Sequence, residues 1–425
     1  MLDIKFIREN LDLCKNAAKN KNREVDWDRL LVLDGKRRDR IAQSEKLRSQ
    51  RNKASGNAGA DVAARDAGKK LKNELKVLED ELRAVEEEFT AVMLTVPNIP
   101  DRSVPIGKDE KDNVVVRTWG EPKFSAKGGP ASGGDFPVKD HIELGKSLDL
   151  IDLDRASKVG GSRAYFLKNE GAQMEFAVLF YTFQKLIQKG YTPLMAPSLV
   201  REFTLLGNGQ LPWGREDVYH LEKDDIYLAG TAEVPVTSYY SGELLAESDL
   251  PKKFVAFSPC FRREAGSYGK DTKGLYRLHQ FNKIEQVIIS KNDMNTSFTL
   301  HDELLANSEE ILQDLELPYR VLLMCTGDMG EPQVKKYDIE TWMPSRKAYG
   351  ETMSDSAMGD FQARRLKIRY KTKDGNVYFC HTLNNTAIAS PRILIAILEN
   401  YQQKDGSVRV PKVLQPYIGK DVISR

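Results

Sequence analysis

Apolar side chains return every three or four residues along one stretch near the N-terminus. Leu71, Leu75, Leu78, Leu82, Val85, Phe89 and Val92 form an unbroken heptad seam. The half before it, Trp27–Lys53, is looser, with Leu30, Leu33, Ile41 and Leu47 only approximating a stripe. Ala54–Ala63 (ASGNAGADVA) supplies turn residues between the two. Helices of about 30 residues joined there predict an antiparallel two-helix hairpin, about 45 Å long at ~1.5 Å per residue. Ahead of it, Ile4, Ile7 and Leu11 at helical spacing predict one short helix over Leu2–Lys19. Val96–Pro105 holds three of the 18 prolines and ends the helical region, which places a domain boundary between residues 104 and 105.

Beyond that boundary the period changes. Glu175–Lys189 predicts a helix with an apolar face of Phe176, Leu179, Phe180, Phe183 and Leu186, stopped by Gly190. A proline-interrupted strand, Tyr191–Pro197, follows it. In Phe254–Ile289, two β-rich runs flank the polar stretch Ala265–Tyr276, which carries Gly266, Gly269 and Gly274. That pattern predicts an antiparallel hairpin with a long loop. Strand alternation puts Arg262 and Glu264 on one side of the first strand. On the second strand it groups Arg277, His279, Phe281, Lys283 and Glu285, with Leu278, Asn282 and Ile284 opposite. Guanidinium forks match phosphate oxygens and an aromatic ring stacks on a base, so such a face suits a nucleotide. A solvated hairpin with cross-strand ion pairs is the alternative.

Composition refines this. The 425 residues suffice for two domains with one large core, and 40% hydrophobic with 30% charged content points to a globular protein. Cys14, Cys260, Cys325 and Cys380 are widely spaced, which predicts a reducing compartment and no structural zinc. The N-terminus lacks an export signal, and no run approaches the ~20 apolar residues of a membrane span. A cytoplasmic protein without membrane partners is therefore expected. The net charge of +2 hides an asymmetry. Residues 36–76 carry 13 Lys/Arg against 5 Asp/Glu, whereas Glu79–Glu88 sets six acids against Arg83. A basic tip on an acidic stem suits a polyanionic partner; a solvated coiled coil is the plainer reading. Gly145-Lys146-Ser147, after the Gly-rich stretch Ser125–Gly134, is not a Walker A loop, because Asp140 stands where that motif needs glycine.

The run FRREAGSYGKDTKGLYRLHQFNKIE (Phe261–Glu285) resembles motif 2 of the class II aminoacyl-tRNA synthetases, in the form used by bacterial seryl-tRNA synthetases. Thr231-Ala232-Glu233 resembles that family's Thr-Ala-Glu loop, although Thr231 as an N-cap and Glu233 in a first helical turn would explain it equally. The helix and strand at 175–197 are similar to motif 1, and a core helix–strand pair fits them as well. Glu351 and Ser354 match the family's Glu-x-x-Ser ATP–metal segment. There the chain departs, with Met353-Ser354-Asp355-Ser356-Ala357 in place of the usual Ser-Ser-Cys-Ser-Asn. His381–Asn400 resembles motif 3, with Arg392 just inside a helix that offers free N–H groups to an anion.

The resemblance runs over essentially the whole chain and implies an α+β fold. Residues 1–104 would form a tRNA-binding coiled-coil arm, and 105–425 a catalytic domain on an antiparallel β-sheet flanked by helices. It implies a homodimer that joins L-serine to tRNA(Ser), with tRNA(Sec) as a further candidate, through ATP and Mg²⁺. ATP would be held by Arg262, Arg263, Glu264, Arg277, Phe281, Glu351, Thr352, Met353, Ser354 and Arg392. Serine would lie among Thr231, Ala232, Glu233, Arg262, Glu285, Asn384 and Thr386. Catalysis would rest on Arg262, Glu351 and Arg392, with Glu351 and Ser354 holding Mg²⁺. A ligase acting on a carrier protein would lack the full arm. A non-catalytic RNA-binding relative would be expected to lose Arg262, Glu351 or Arg392, and all three are present.

Overall fold

The computed structural model describes residues 1–56, 62–122, 124, 136–265 and 273–425, with the side chains of 54–56 and 62–67 set aside. The expected Gly-rich loop at Ser125–Gly134, the centre of the Ala54–Ala63 turn and most of the Ala265–Tyr276 loop lie outside the described residues. The chain divides into two units, Met1–Pro97 and Asn98–Arg425. Residues 98–104, grouped with the arm on sequence, belong to the second unit. Asn98 Nδ2 donates to the carbonyls of Pro332 (2.9 Å) and Met358 (2.8 Å), and Asp101 N donates to Val334 O.

In the first unit the short helix is two helices, α1 (Ile4–Glu9) and α2 (Leu11–Asn20). The break falls at Asn10, whose side chain donates to Phe6 O at 3.0 Å. Such a local side-chain bond competes with helix continuation. The long hairpin is α3 (Trp27–Gly56) and α4 (Val62–Met93). Leu75 and Leu78 of the heptad seam are buried, as are Leu30 and Leu33 of the looser helix. Four cross-helix ion pairs fix the antiparallel sense: Arg29–Glu88, Arg37–Glu86, Arg40–Glu81 and Arg48–Glu79. These pairs also revise the charge map. Antiparallel pairing sets Arg37 and Arg40 beside the acidic stretch, so the segment 36–76 is not wholly tip.

The second unit is built on an eight-stranded sheet. In chain order its strands are β1 (Val114–Trp119), β2 (Thr192–Met195), β3 (Lys252–Phe261), β4 (Gln280–Ser290), β5 (Tyr319–Leu323), β6 (Lys335–Met343), β7 (Ala348–Gly359) and β8 (His381–Ala389). Their order in space is β1-β5-β6-β7-β8-β4-β3-β2. Every pairing is antiparallel except the last, where β2 joins β3 in parallel. Pro193, which has no N–H to donate, is tolerated in β2 because an edge strand has no outer neighbour that needs one.

Strand alternation divides the sheet between two tasks. Ile284, Ile288, Met353, Ala357, Leu383 and Ala387 belong to the main core, along with side chains from three helices. These are α6 (Asn169–Gln188), α7 (Met294–Asp314) and α8 (Ser390–Tyr401); α5 (His141–Ser147) adds Leu144. The residues between them, Lys283, Glu285, Asn384, Thr386 and Ser354, take the opposite face. On α6 the buried side is Met174, Ala177, Val178, Leu179 and Leu186. Phe176 and Phe180, assigned to that face on sequence, are 75% and 51% exposed. As an i, i+4 pair they form a separate apolar strip.

Candidate active site

The predicted hairpin at the centre of the site is present, but its strands are shorter than the alternation implied. β3 ends at Phe261 and β4 begins at Gln280, so Arg262, Glu264, Arg277 and His279 sit on loop ends. Two bonds still clip these ends together: Arg262 N to His279 O at 2.9 Å, and Arg277 Nη1 to Glu264 Oε2 at 3.1 Å. Glu264 has φ +55°, a turn that the strand reading could not anticipate. Phe281, Lys283 and Glu285 do share a face of β4.

These groups surround a cavity enclosing about 570 Å³ of unfilled space, partly open to solvent. Its walls bring together Arg262, Glu264, Arg277 and Phe281 from the hairpin, Glu351, Thr352, Met353 and Ser354 from β7, Thr386 from β8, and Arg392 from α8. Segments more than a hundred residues apart meet here because β4, β8 and β7 are consecutive neighbours in the sheet. The Arg262 guanidinium lies 5.3 Å from the centroid of Phe281. Arg392 spans the cavity floor: Nη1 donates to Glu351 O (2.9 Å) and Oε2 (3.0 Å), and Nε to Tyr276 O (3.1 Å). Burial pushes the Glu351 carboxyl up, but the charges of Arg392 and Lys336 prevail and hold it down at about 2. Arg263 is exposed and does not line the cavity; its backbone N donates to Asp217 O.

A second, deeper group adjoins the cavity. Lys283 Nζ donates to Thr231 Oγ1 (2.8 Å) and Thr386 Oγ1 (3.1 Å) and pairs with Glu285. Thr231 Oγ1 also accepts from Glu233 N at 3.2 Å, although Thr231 lies one residue before the N-cap of the helix that follows rather than at it. Ala232 is fully buried, at the N-cap of the short helix Glu233–Thr237. The Glu233 carboxylate accepts from Gln362 Nε2 at 2.7 Å. Burial, then the Glu285 charge, pushes its carboxyl up to about 7 against the pull of Gln362, Lys283 and Arg262. Asn384 is 5% exposed and its Nδ2 has no hydrogen-bond partner among the described residues. A buried donor left in this state marks a place for a ligand or water oxygen.

Lys283, Gln362 and Tyr276 were absent from the sequence-based set. Lys283 was visible on the strand face, whereas only tertiary contact reveals the other two. The departure from the family pattern is also explained. Asp355 lies on the helix side of β7, fully buried and 3.0 Å from His301 Nε2 on α7, while Ser354 stays in the cavity wall. Among the described residues no group of three or more His, Cys, Asp or Glu could hold a metal, and no helix is long and apolar enough to cross a membrane.

Comparison with known proteins agrees with this geometry. Residues 1–100 match the family model "Seryl-tRNA synthetase N-terminal domain", and 218–401 match "tRNA synthetase class II core domain (G, H, P, S and T)". The serine–tRNA ligase of Deinococcus radiodurans is 46% identical, over 99% of this chain and 98% of its own length. That of Caldicellulosiruptor saccharolyticus is 47% identical over the whole of both. The solved seryl-tRNA synthetase from Pyrococcus horikoshii, complexed with ATP, superposes with a TM-score of 0.90 at 39% identity, over 100% of this chain and 99% of its own. A carrier-protein ligase and a non-catalytic paralogue find no support among these relatives. With its arm, its sheet and its motif segments matched from end to end, the chain belongs to the seryl-tRNA synthetase family of class II aminoacyl-tRNA synthetases.

Proposed function

We propose that the cavity around Arg262 is where this chain, a serine–tRNA ligase, makes seryl-adenylate from L-serine and ATP. The serine carboxylate attacks the α-phosphorus, a P–O bond forms, and diphosphate leaves with the broken one. Carboxylate and triphosphate repel, so catalysis is mostly positioning plus fixed positive charge. Arg262 would contact the α-phosphate and the serine carboxylate, with Arg277 and Arg392 on the outer phosphates. Phe281 would stack on the adenine and Glu264 accept from its edge, with Thr352 and Met353 contributing backbone contacts. The observation that carries this reading is the convergence of Arg262, Arg277 and Arg392 on one cavity beside Glu351.

Glu351 and Ser354 fit Mg²⁺, which is usually bound by one or two carboxylates together with phosphate oxygens rather than by an all-protein cage. Held there with ATP, Mg²⁺ would supply positive charge that offsets the charge of the phosphates. Serine would take the deeper group: its ammonium near Glu233 and Thr231, and its hydroxyl on Glu285 and Thr386, with Ala232 and Asn384 closing the pocket. The second step is attack by a terminal ribose hydroxyl of tRNA on the adenylate carbonyl, releasing AMP. The tRNA would be tRNA(Ser), with tRNA(Sec) as a second substrate, gripped by the basic end of the α3–α4 hairpin in residues 1–97. The strip of Phe176 and Phe180, with Met195 82% exposed on β2, would be covered by a second copy in a cytoplasmic homodimer. ATP–pyrophosphate exchange over all twenty amino acids tests the reading. Exchange should depend on serine alone, and equal exchange with another amino acid would overturn it.

A further inference from the structure

His141 belongs to none of the segments that resemble the family's motifs, yet it stands directly behind the cavity wall. It is the first residue of α5 and is 9% exposed. Its Nε2 lies 3.2 Å from Leu275 N, and its Nδ1 lies 3.1 Å from Glu399 Oε1. A backbone N–H can only donate, so Nε2 presents a lone pair and the ring proton sits on Nδ1, where Glu399 receives it. The partners thus give the two ring nitrogens distinct roles, Nδ1 as donor and Nε2 as acceptor. Glu399 is itself fully buried and well supplied with donors: His141 N (3.1 Å), Ser345 N (2.9 Å) and Ser345 Oγ (2.8 Å).

Glu399 lies on α8, two turns after Arg392, and so shares its side of the helix. Arg392 holds the carbonyl of Tyr276; Glu399, through His141, holds the N–H of Leu275. One helix therefore grips adjacent residues of the loop limb that leads into Arg277. The fit is close: a Cβ added at Gly274 would lie 2.2 Å from His141 Nε2. The Tyr276 ring is flanked by the guanidinium groups of Arg392 (4.5 Å) and Arg346 (4.2 Å), so movement of this limb would carry cavity cations with it.

We propose that His141 is a positioning residue for serine activation, relaying the anchor of Glu399 to the loop limb at Leu275–Arg277 and so holding Arg277 and Arg392 where ATP phosphates bind. The inference rests on the assignment of those two arginines to ATP. Two substitutions of similar chemistry and different reach test it. In His141→Gln the amide oxygen extends to the place of Nε2 and can accept from Leu275 N–H. In His141→Asn it reaches only the place of Nδ1. We expect His141→Asn to raise the KM for ATP and lower kcat of pyrophosphate exchange, together by roughly 10- to 100-fold, with the KM for serine within twofold. His141→Gln should regain most of the loss. Rates are to be normalised to active sites titrated by the adenylate burst, so that partial misfolding does not imitate the effect. Equal behaviour of the two variants, or equal rises in both KM values, would overturn the proposal. Arg392→Ala, measured alongside, isolates the premise: normal use of ATP by that variant would remove the assignment of Arg392 rather than the relay itself.

Discussion

Arg392 Nη1 bonds both the backbone carbonyl and the side-chain carboxylate of Glu351, at 2.9 and 3.0 Å. A cation from α8 and an anion from β7 are thereby held as a preset pair in the cavity. Glu351→Gln keeps the size of the side chain and the contact to the carbonyl but removes the charge that a phosphate-bound metal would meet. Pyrophosphate exchange should fall by at least about a hundredfold, and raising Mg²⁺ should recover part of it. An unchanged dependence on Mg²⁺ would count against this role.

Arg262→Ala would remove the proposed contact to the α-phosphate, which would strengthen as charge builds on the phosphorus. The expected loss is ~3 kcal/mol or more in kcat/KM, about a hundredfold. Near-normal exchange by this variant would sink the assignment. The cation–π approach to Phe281 predicts that part of the loss appears as weaker ATP binding.

Glu233 gives the free enzyme a pH signature. Its folded pKa of about 7 lies above the ~4.3 of an unfolded glutamate, so the folded chain binds the extra proton between those values. Its contribution to stability is therefore full below ~4 and is lost as pH rises through about 7. Glu233→Gln should melt higher than the parent at pH 8 and equal to it near pH 4. A serine ammonium seated beside Glu233, as proposed, would need the ionised form, so KM for serine should rise as pH falls below about 7. Glu233→Gln should bind serine weakly at every pH. A flat KM profile in the parent enzyme would exclude this linkage.

Side-chain choice should reside in Glu285 and Thr386. Alanine would offer them no hydroxyl, and a site built to bond a hydroxyl can reject an analogue lacking it by ~10⁴-fold or more. Threonine's added methyl would meet the packed walls around Lys283. Thr386→Ala should narrow the serine-to-alanine ratio of kcat/KM. Stable release of alanyl- or threonyl-tRNA by the unaltered enzyme at rates near those for seryl-tRNA would contradict the pocket.

The arm and the sheet unit should separate functionally. Replacing the outer part of the α3–α4 hairpin with a short turn should leave serine-dependent exchange within a few-fold. Charging of tRNA should drop by orders of magnitude, and the log–log salt slope should fall by about 0.7–0.9 per lost phosphate contact. In a dimer whose arms serve the opposite site, mixing an armless subunit with an Arg262→Ala subunit restores charging. An inactive mixture, with heterodimers confirmed, would place arm and site in one chain.

Much of this molecule was legible from local pattern. The heptad seam announced α4, and the grouping of Phe281, Lys283 and Glu285 followed from the two-residue period of a strand. What escaped depended on chain direction and tertiary contact. Asn10 interrupts a helix through a single side-chain bond. The exposed Phe176 and Phe180 look like core residues until their neighbours are known. Glu264 needed a positive φ that no alternation encodes. Residue order also set charges 36–76 and 79–88 apart as blocks, whereas an antiparallel hairpin interleaves them, as Arg37–Glu86 and Arg48–Glu79 show.

The burial of Asp355 against His301 has a bearing on ancestry. Because β7 turns Ser354 toward the cavity and Asp355 away from it, the strand can change on one side without altering the other. Asp355 and His301 then form a unit of inheritance: either one alone would leave an ionisable group stranded in the core. Lineages carrying a small neutral residue at 355 should therefore lack the histidine at 301. The two changes should also appear on the same branch of the family tree, with no matching change in the residues that line the cavity.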